Sequence, residues 1–377
     1  MYNPTFFPPT FPAGLSSDGP SALEVAVSNL SRQTREAALR QAHQRRTAGM
    51  SAIRSQHQGV LVIGALMPLQ IAPALEVQVG AGFVAGGAHE ENPLGTIDRM
   101  SYGSPLEIAV IGDALSVGRY GAGAVGNRSN GYFAGGSDGA DVVPLDDIDE
   151  LSYSSQMTRV LGVALSVPKV YLAGVGTRAN GYFVGGSTHG GSIPLNGIDE
   201  INYGSGPSVR GIGAVLFVGR YGLAAVGNSS HGYVGSGSVH THFYYSLDKL
   251  TYSDKSVQVL GANLSRRSHY SAAGNSSSGY FAGDYFTYTE ASTIDRLTYA
   301  DESLAAVGND LSVQRYAAAA TGDSTHGYWT GGMSAGGQLN SVEQLIYADE
   351  TTAMEGATLS VSRWKPAAVG GYAGGIA

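Results

Sequence analysis

A string of the form Gly-Tyr-Phe-Ala-Gly-Gly recurs about every 50 residues and constrains the fold more than any other feature of this chain. It reads GFVAGG from Gly82, GYFAGG from Gly131, GYFVGG from Gly181 and GYVGSG from Gly232. It returns as GYFAGD from Gly279, GYWTGG from Gly327 and a last GYAGG from Gly371. A period of this size means an array of one supersecondary unit, each copy too small to bury its own apolar face.

Each copy carries four short apolar segments bounded by turn residues. Around Gly131 these are the small-residue run Gly121 to Val125, the segment Gly131 to Gly136, the hexad Ile148-Asp149-Glu150-Leu151-Ser152-Tyr153, and a segment from Arg159 to Leu165. The hexad alternates apolar and polar residues, the pattern of a half-buried strand. It recurs at Ile97, Ile198, Leu247, Ile294 and Val342, each time ending in Tyr. Turns such as Gly227 to Gly232 and Gly274 to Gly279 predict glycines at positive φ in tight hairpins. The sum is a four-stranded antiparallel meander per repeat, and radial closure of such meanders into a β-propeller hides their edges. Counting strands predicts seven blades, the seventh split between Arg363–Gly375 and a strand at Val60–Leu66. The small residues suit inner strands that converge on a narrow axis.

The order Arg-Tyr, small-residue strand, Gly-Tyr-Phe-x-Gly-Gly, polar loop and hexad ending in Tyr resembles a kelch repeat over roughly residues 60 to 377. It departs from kelch in lacking a Trp after the third strand, where the hexads stop at Tyr102, Tyr153, Tyr203, Tyr252, Tyr299 and Tyr347. The fold class implied is an all-β, kelch-like β-propeller. The Gly-, Ser- and Ala-rich texture also resembles kelch-like structural proteins of tailed bacteriophages, cyanophages in particular. Kelch architecture supports copper oxidases of the galactose-oxidase type as well, but their Cys–Tyr cross-link cannot form in a chain with no cysteine.

Residues 1–57 read differently. Phe6, Phe7 and Phe11 stand among prolines, and Ser21 with Glu24 forms a capping box opening a helix to about Arg46. Leu23, Val27 and Leu30 lie along one side of that helix, an apolar stripe too thin to be stable without something to pack on. The expectation is an anchoring arm, 1–57, that docks through these residues on other virion proteins, followed by a propeller over 58–377. Six Arg against Asp18, Glu24 and Glu36 give the arm about +3; with −8 for the whole chain, the rest carries about −11. An acidic propeller is not expected to bind nucleic acid, whose phosphates need clustered cations. The apolar stretch Gly59 to Val77 is broken by Pro68, Gln70 and Pro73 and is not expected to span a membrane. No signal peptide is recognisable at the N-terminus.

No phosphate loop, Gly-x-Ser-x-Gly or His-Glu-x-x-His is present, so catalytic residues and cofactors are expected to be absent. His240-Thr241-His242 would place two rings on one face of a strand, one ligand short of a metal site. One cation and one carboxylate per unit (Arg119, Lys169, Arg220, Arg315 and Arg363 with Asp98, Asp149, Asp199, Asp248, Asp295 and Glu343) are expected to make structural pairs. The loop between second and third strands is polar in four units and aromatic in two consecutive ones. Those two contribute His240, His242, Phe243, Tyr244 and Tyr245, and then Tyr285, Phe286 and Tyr288, the candidate binding residues. Together these features predict a virion protein, a tail fibre or tail-associated adhesin that binds host surface glycan or protein, in multiple copies. The alternatives are a structural tail connector or capsid decoration protein, and a cellular kelch scaffold or carbohydrate-active enzyme.

Overall fold

The computed structural model describes residues 80–139, 143–188, 193–265, 269–286 and 289–370. The described residues belong to one compact unit, which begins at Gly80. The anchoring arm, its residues Phe6, Phe7, Phe11, Leu23, Val27 and Leu30, and the expected strand at Val60–Leu66 all lie outside the described residues.

Each repeat forms a four-stranded antiparallel sheet, and among the described residues there are six of them rather than the expected seven. Blade 2 is typical, with strands Gly123–Gly126, Asn130–Ala134, Asp147–Ser152 and Met157–Ala164 running outward from the axis. Blades 3 to 6 repeat this order with first strands at Ala173–Gly176, Ala224–Gly227, Ser271–Gly274 and Ala319–Gly322. Blade 1 is composite. Its inner strand is Ala367–Gly370, which pairs with Ala81–Ala85 in the register Gly82↔Gly370 to Ala85↔Ala367. Thr96–Ser101 and Glu107–Ala114 complete it. The ring therefore closes without any strand upstream of Gly80. The count of seven arose because the GYAGG copy at Gly371 looks like another second strand, whereas that edge of Ala367–Gly370 is already taken by Ala81–Ala85.

The third strands are buried on both faces, not half-buried: in Asp147–Ser152 the four central residues are all buried. Blades stack face to face, so a middle strand has no solvent side, and its polar positions survive by pairing. Arg119 meets Asp149 at 3.2 Å and Asp147 at 2.8 Å, Lys169 meets Asp199 at 2.7 Å, and Arg220 meets Asp248 at 2.5 Å. Arg315 meets Glu343 at 3.5 Å, and Arg363 meets Asp98 at 2.7 Å across the closure. Burial pushes the Asp149 and Asp248 carboxyls up and the Arg220, Arg315 and Arg363 guanidiniums down, which marks how dry these sites are. The carboxylate also ties down the incoming connection. Ser116 and Ser360 donate backbone and hydroxyl hydrogens to Asp149 and Asp98.

Two cyclic arrangements lock the blades together. The Tyr ending each hexad stacks on the aromatic residue of a neighbouring second strand: Phe83–Tyr153, Tyr132–Tyr203, Tyr182–Tyr252, Tyr233–Tyr299, Tyr280–Tyr347 and Tyr328–Tyr102. Their centroids are 4.9 to 5.1 Å apart and their planes within 10°. Each such pair contributes about 0.5–1.5 kcal/mol beyond its area. These tyrosines also explain the glycines beside them. A Cβ at Gly181 would sit 2.3 Å from Tyr203 Oη and 2.5 Å from Val125, and one at Gly227 would sit 2.7 Å from Tyr252 Oη. Positive φ is not the reason, since Gly227, Gly232, Gly274 and Gly279 all lie outside that region. The hairpins turn instead through Asx-type geometry, with Asn127 Oδ1 accepting from Ser129 and Asn130 N–H at 2.7 and 2.8 Å.

The second cycle encircles the axis. Just before each inner strand, one residue has left-handed φ: Gly121, Tyr171, Gly222, His269, Ala317 and Lys365, between 51° and 67°. Each donates its N–H to the carbonyl of its counterpart in the preceding blade. Around the ring these are Gly121 to Lys365, Tyr171 to Gly121, Gly222 to Tyr171, His269 to Gly222, Ala317 to His269 and Lys365 to Ala317, at 2.7 to 3.3 Å.

Candidate functional site

One face of the ring, the loop face, carries the connections between second and third strands and those leading into each inner strand. The double glycine of the repeat builds it. Gly135 and Gly136 both have positive φ (66° and 94°), and the kink sends Gly136 N–H to the Lys169 carbonyl of the next blade at 2.9 Å. Gly87, Gly186 and Gly332 do the same toward Arg119, Arg220 and Arg363. Beyond the kink the chain makes a separate small hairpin, as in Ser187–Thr188 with Ile193–Pro194. Blade 5 has Asp284 where the second glycine would stand. There the two strands run on as one long hairpin to Phe286↔Thr289, after a register shift between Ala282 and Asp284.

The candidate aromatic loops occupy consecutive blades on this face. In blade 4, Ser238–Val239 pairs with His242–Phe243, and His240 has left-handed φ at 51°. His240 and Thr241 are thus the turn of a hairpin and His242 opens its second strand, so the three residues do not run as one strand with the alternation that a shared face requires. His240 and His242 are exposed, while Phe243, Tyr244 and Tyr245 are half-buried, Tyr245 packing on the core between blades 4 and 5. In blade 5, Tyr285 and Phe286 lie in the extended hairpin, and Tyr288 is outside the described residues.

The exposed apolar side chains of this face reach further than the sequence suggested. Val117, Val143, Val167, Ile193 and Phe217 are all exposed, Phe217 at 76%. They lie in the connections serving blades 2 to 4. Phe217 carried a readable signal: it replaces the Ser of the Leu-Ser-x-x-Arg sequence seen at Leu115, Leu311 and Leu359.

At the centre of the same face, aromatic rings collar the axis. Tyr120 lies 6.1 Å from Tyr171 and 6.2 Å from Trp364, and Tyr171 lies 6.0 Å from Tyr221. Lys365 reaches into them, with Nζ 4.0 Å from the ring centroids of Tyr171 and Trp364 and 5.6 Å from Tyr120. Burial lowers the Lys365 ammonium to about 7. It also lowers His269 to about 3, helped by the nearby Lys365 charge. Burial raises the Tyr171 phenol. Below the collar, Ala124–Gly126, Gly174–Gly176, Ala272–Gly274, Ala320–Gly322 and Ala368–Gly370 line a cavity of about 80 Å³ on the axis, wholly of small residues.

Among the described residues no group of three or more His, Asp or Glu is placed to hold a metal ion. The paired acids of blade 2 are occupied: Asp147 and Asp149 by Arg119, Glu150 by Arg159, Tyr132 and Asn130. Among the described residues the loop face presents exposed apolar side chains, flat aromatic rings and the Lys365 ammonium.

No protein-family model matches the chain, and no curated protein matches it in sequence. Among solved structures, that titled "Structure of YjhT" is similar over 72% of this chain and 96% of its own, with a TM-score of 0.60 at 12% identity. That likeness is one of fold: the chain is an all-β propeller of six blades.

Proposed function

We propose that this protein is a virion component of a tailed bacteriophage, a tail fibre or tail-associated adhesin that binds a host surface through the loop face of its propeller. The observation that carries the reading is the run of exposed apolar residues from Val117 through Ile193 and Phe217 to the blade 4 hairpin. Exposed apolar side chains concentrated on one face favour an interaction site there, and aromatic residues dominate binding energy where they anchor. Residues 1–57 would dock on neighbouring virion proteins, and several copies per particle would compensate for weak single sites by avidity. The test is binding of labelled full-length chain to envelopes of candidate hosts, beside Phe217→Ala/Ile193→Ala and Tyr244→Ala/Tyr285→Ala variants. Binding that both double variants lose supports recognition by the loop face; wild-type chain that binds no permissive host overturns it.

A second reading, a structural connector or decoration protein, is favoured by the rim. The outermost strands expose Val110, Met157, Val160, Val215, Val259 and Met354, which suits lateral packing in an assembly. Binding only to other virion proteins, lost on changing Met157 and Val160 to Ser, would support it.

A further inference from the structure

Six residues form the axial hydrogen-bond ring, and their side chains are unequal. Gly121, Gly222 and Ala317 show that glycine or alanine meets the backbone requirement. Left-handed φ costs a residue with a side chain on the order of 1 kcal/mol relative to glycine. Blades 1, 3 and 5 nevertheless place Lys365, Tyr171 and His269 there. The Tyr171 ring lies over Gly121, the His269 ring over Gly222, and the Lys365 Nζ over Tyr171. None of the three is needed to hold the ring together.

Lys365 stands apart electrostatically as well. The inner-strand cations Arg119, Lys169, Arg220, Arg315 and Arg363 each have a carboxylate within 3.5 Å. Lys365 contacts aromatic faces and has no carboxylate partner among the described residues, and desolvation is what lowers its proton affinity. A desolvated ammonium without a counter-ion is costly, and an incoming anion would relieve that cost. The walls around it are rings half open to solvent, Tyr171, Tyr221 and Trp364, flat surfaces suited to the C–H face of a pyranose.

We propose that the axial collar of the loop face is a subsite for an acidic saccharide, whose carboxylate pairs with Lys365 while its ring rests on the solvent-facing edges of Trp364, Tyr171 and Tyr221. The proposal deepens the host-recognition reading and rests on it for its biological setting, though not for its chemistry. Lys365 faces Tyr120, Tyr171 and His269, with Glu90 on the connection whose carbonyl accepts from Trp364 Nε1 at 3.3 Å. Between pH 6 and 8.5 Lys365 changes charge, while His269 is already neutral and the Tyr171 phenol stays protonated.

The chain has two tryptophans, and Trp329 is fully buried, so Trp364 reports on the collar directly. The experiment is a fluorescence titration of the full-length chain at pH 6 with glucuronate, glucose and acetate, repeated at pH 8.5. The expected result is a saturable change with glucuronate and at least tenfold weaker responses to glucose and acetate. Glucuronate affinity should fall at least tenfold in Lys365→Met and weaken at pH 8.5, while the melting temperature of unliganded Lys365→Met rises. A flat glucuronate titration, or one that Lys365→Met leaves unchanged, overturns the proposal. Acetate binding as tightly as glucuronate overturns the saccharide part and leaves a simple anion site. A positive titration without host binding would sink the adhesin reading alone, and host binding with a flat titration would sink the subsite alone.

Discussion

The two faces of the ring are built from the same six repeats and spend their residues differently. On the turn face, the hairpins between first and second strands close on themselves: Asn127, Thr177, Asn228, Asn275 and Asp323 each accept from two following N–H groups. In the outer turns Asp254, Asp301 and Asp349 each accept the backbone N–H and the hydroxyl of the Ser or Thr two residues on. No exposed large apolar side chain sits in a described turn of that face. On the loop face, by contrast, repeat symmetry is broken in blade after blade, by Phe217, by Asp284, by the blade 4 hairpin and by Lys365. Uniformity marks the turn face, and irregularity the loop face.

Four measurements would break or sharpen that contrast. The largest effect is expected beneath the loop face, where Arg363→Ala would leave Asp98 buried and unpaired in the closing blade. A loss of about 3–5 kcal/mol in denaturant unfolding is expected, and a loss under 1 kcal/mol would mean that closure does not depend on the pair. Next, Gly181→Ala on the turn face should cost about 1–3 kcal/mol by overpacking, because the added methyl meets Tyr203 Oη and Val125. A neutral result would show that face to be looser than its contacts imply.

The third concerns pH. His269 is held neutral, with its proton affinity lowered to about 3 from an ordinary 6.5. Below pH 6.5 the unfolded chain therefore binds a proton that the folded chain refuses, and stability falls as pH drops from 6.5 toward 3. In His269→Gly, which copies Gly121 and Gly222, the difference in melting temperature between pH 7 and pH 4.5 should shrink. An unchanged difference would place the acid sensitivity elsewhere. The smallest expected effect is in stability at the exposed patch: Phe217→Ala should lie within about 0.5 kcal/mol of wild type in unfolding. A larger loss would make Phe217 part of the framework and weaken the contrast between faces.

Much of the framework was legible in sequence because its determinants are local and repeated. The GYFxGG strands and the hexads recur once per blade and the cation–carboxylate partners in five of the six, with Tyr270 and Ser265 on Asp295 in blade 5, and the small inner strands follow from the narrow axis. What misled was glycine, which serves two purposes with one letter. Gly135 and Gly136 are there for positive φ, whereas Gly131 and Gly181 make room for Val369 and for a tyrosine hydroxyl. Only the position of a neighbouring blade tells these apart. The collar was hidden for a related reason. Blade 2 reads Arg-Tyr-Gly and blade 3 reads Lys-Val-Tyr, so the aromatic residue shifts by one place, from the slot before the axial ring into the ring itself. No property of Tyr171 or Lys365 alone reveals that both face the axis.

The composite first blade also sets a clock. Ala85 pairs with Ala367, 282 positions further along the chain, whereas every other inner strand meets its neighbour within one hairpin. During synthesis, the strands from Ala81 to Ala114 leave the ribosome early and must wait with an open inner edge until the last blade has been made. Contacts that distant form slowly, and unpaired edges aggregate. Recombinant production would therefore be expected to suffer more from a stop codon at 366, which removes four strand residues and all that follows, than from many substitutions in the blades between.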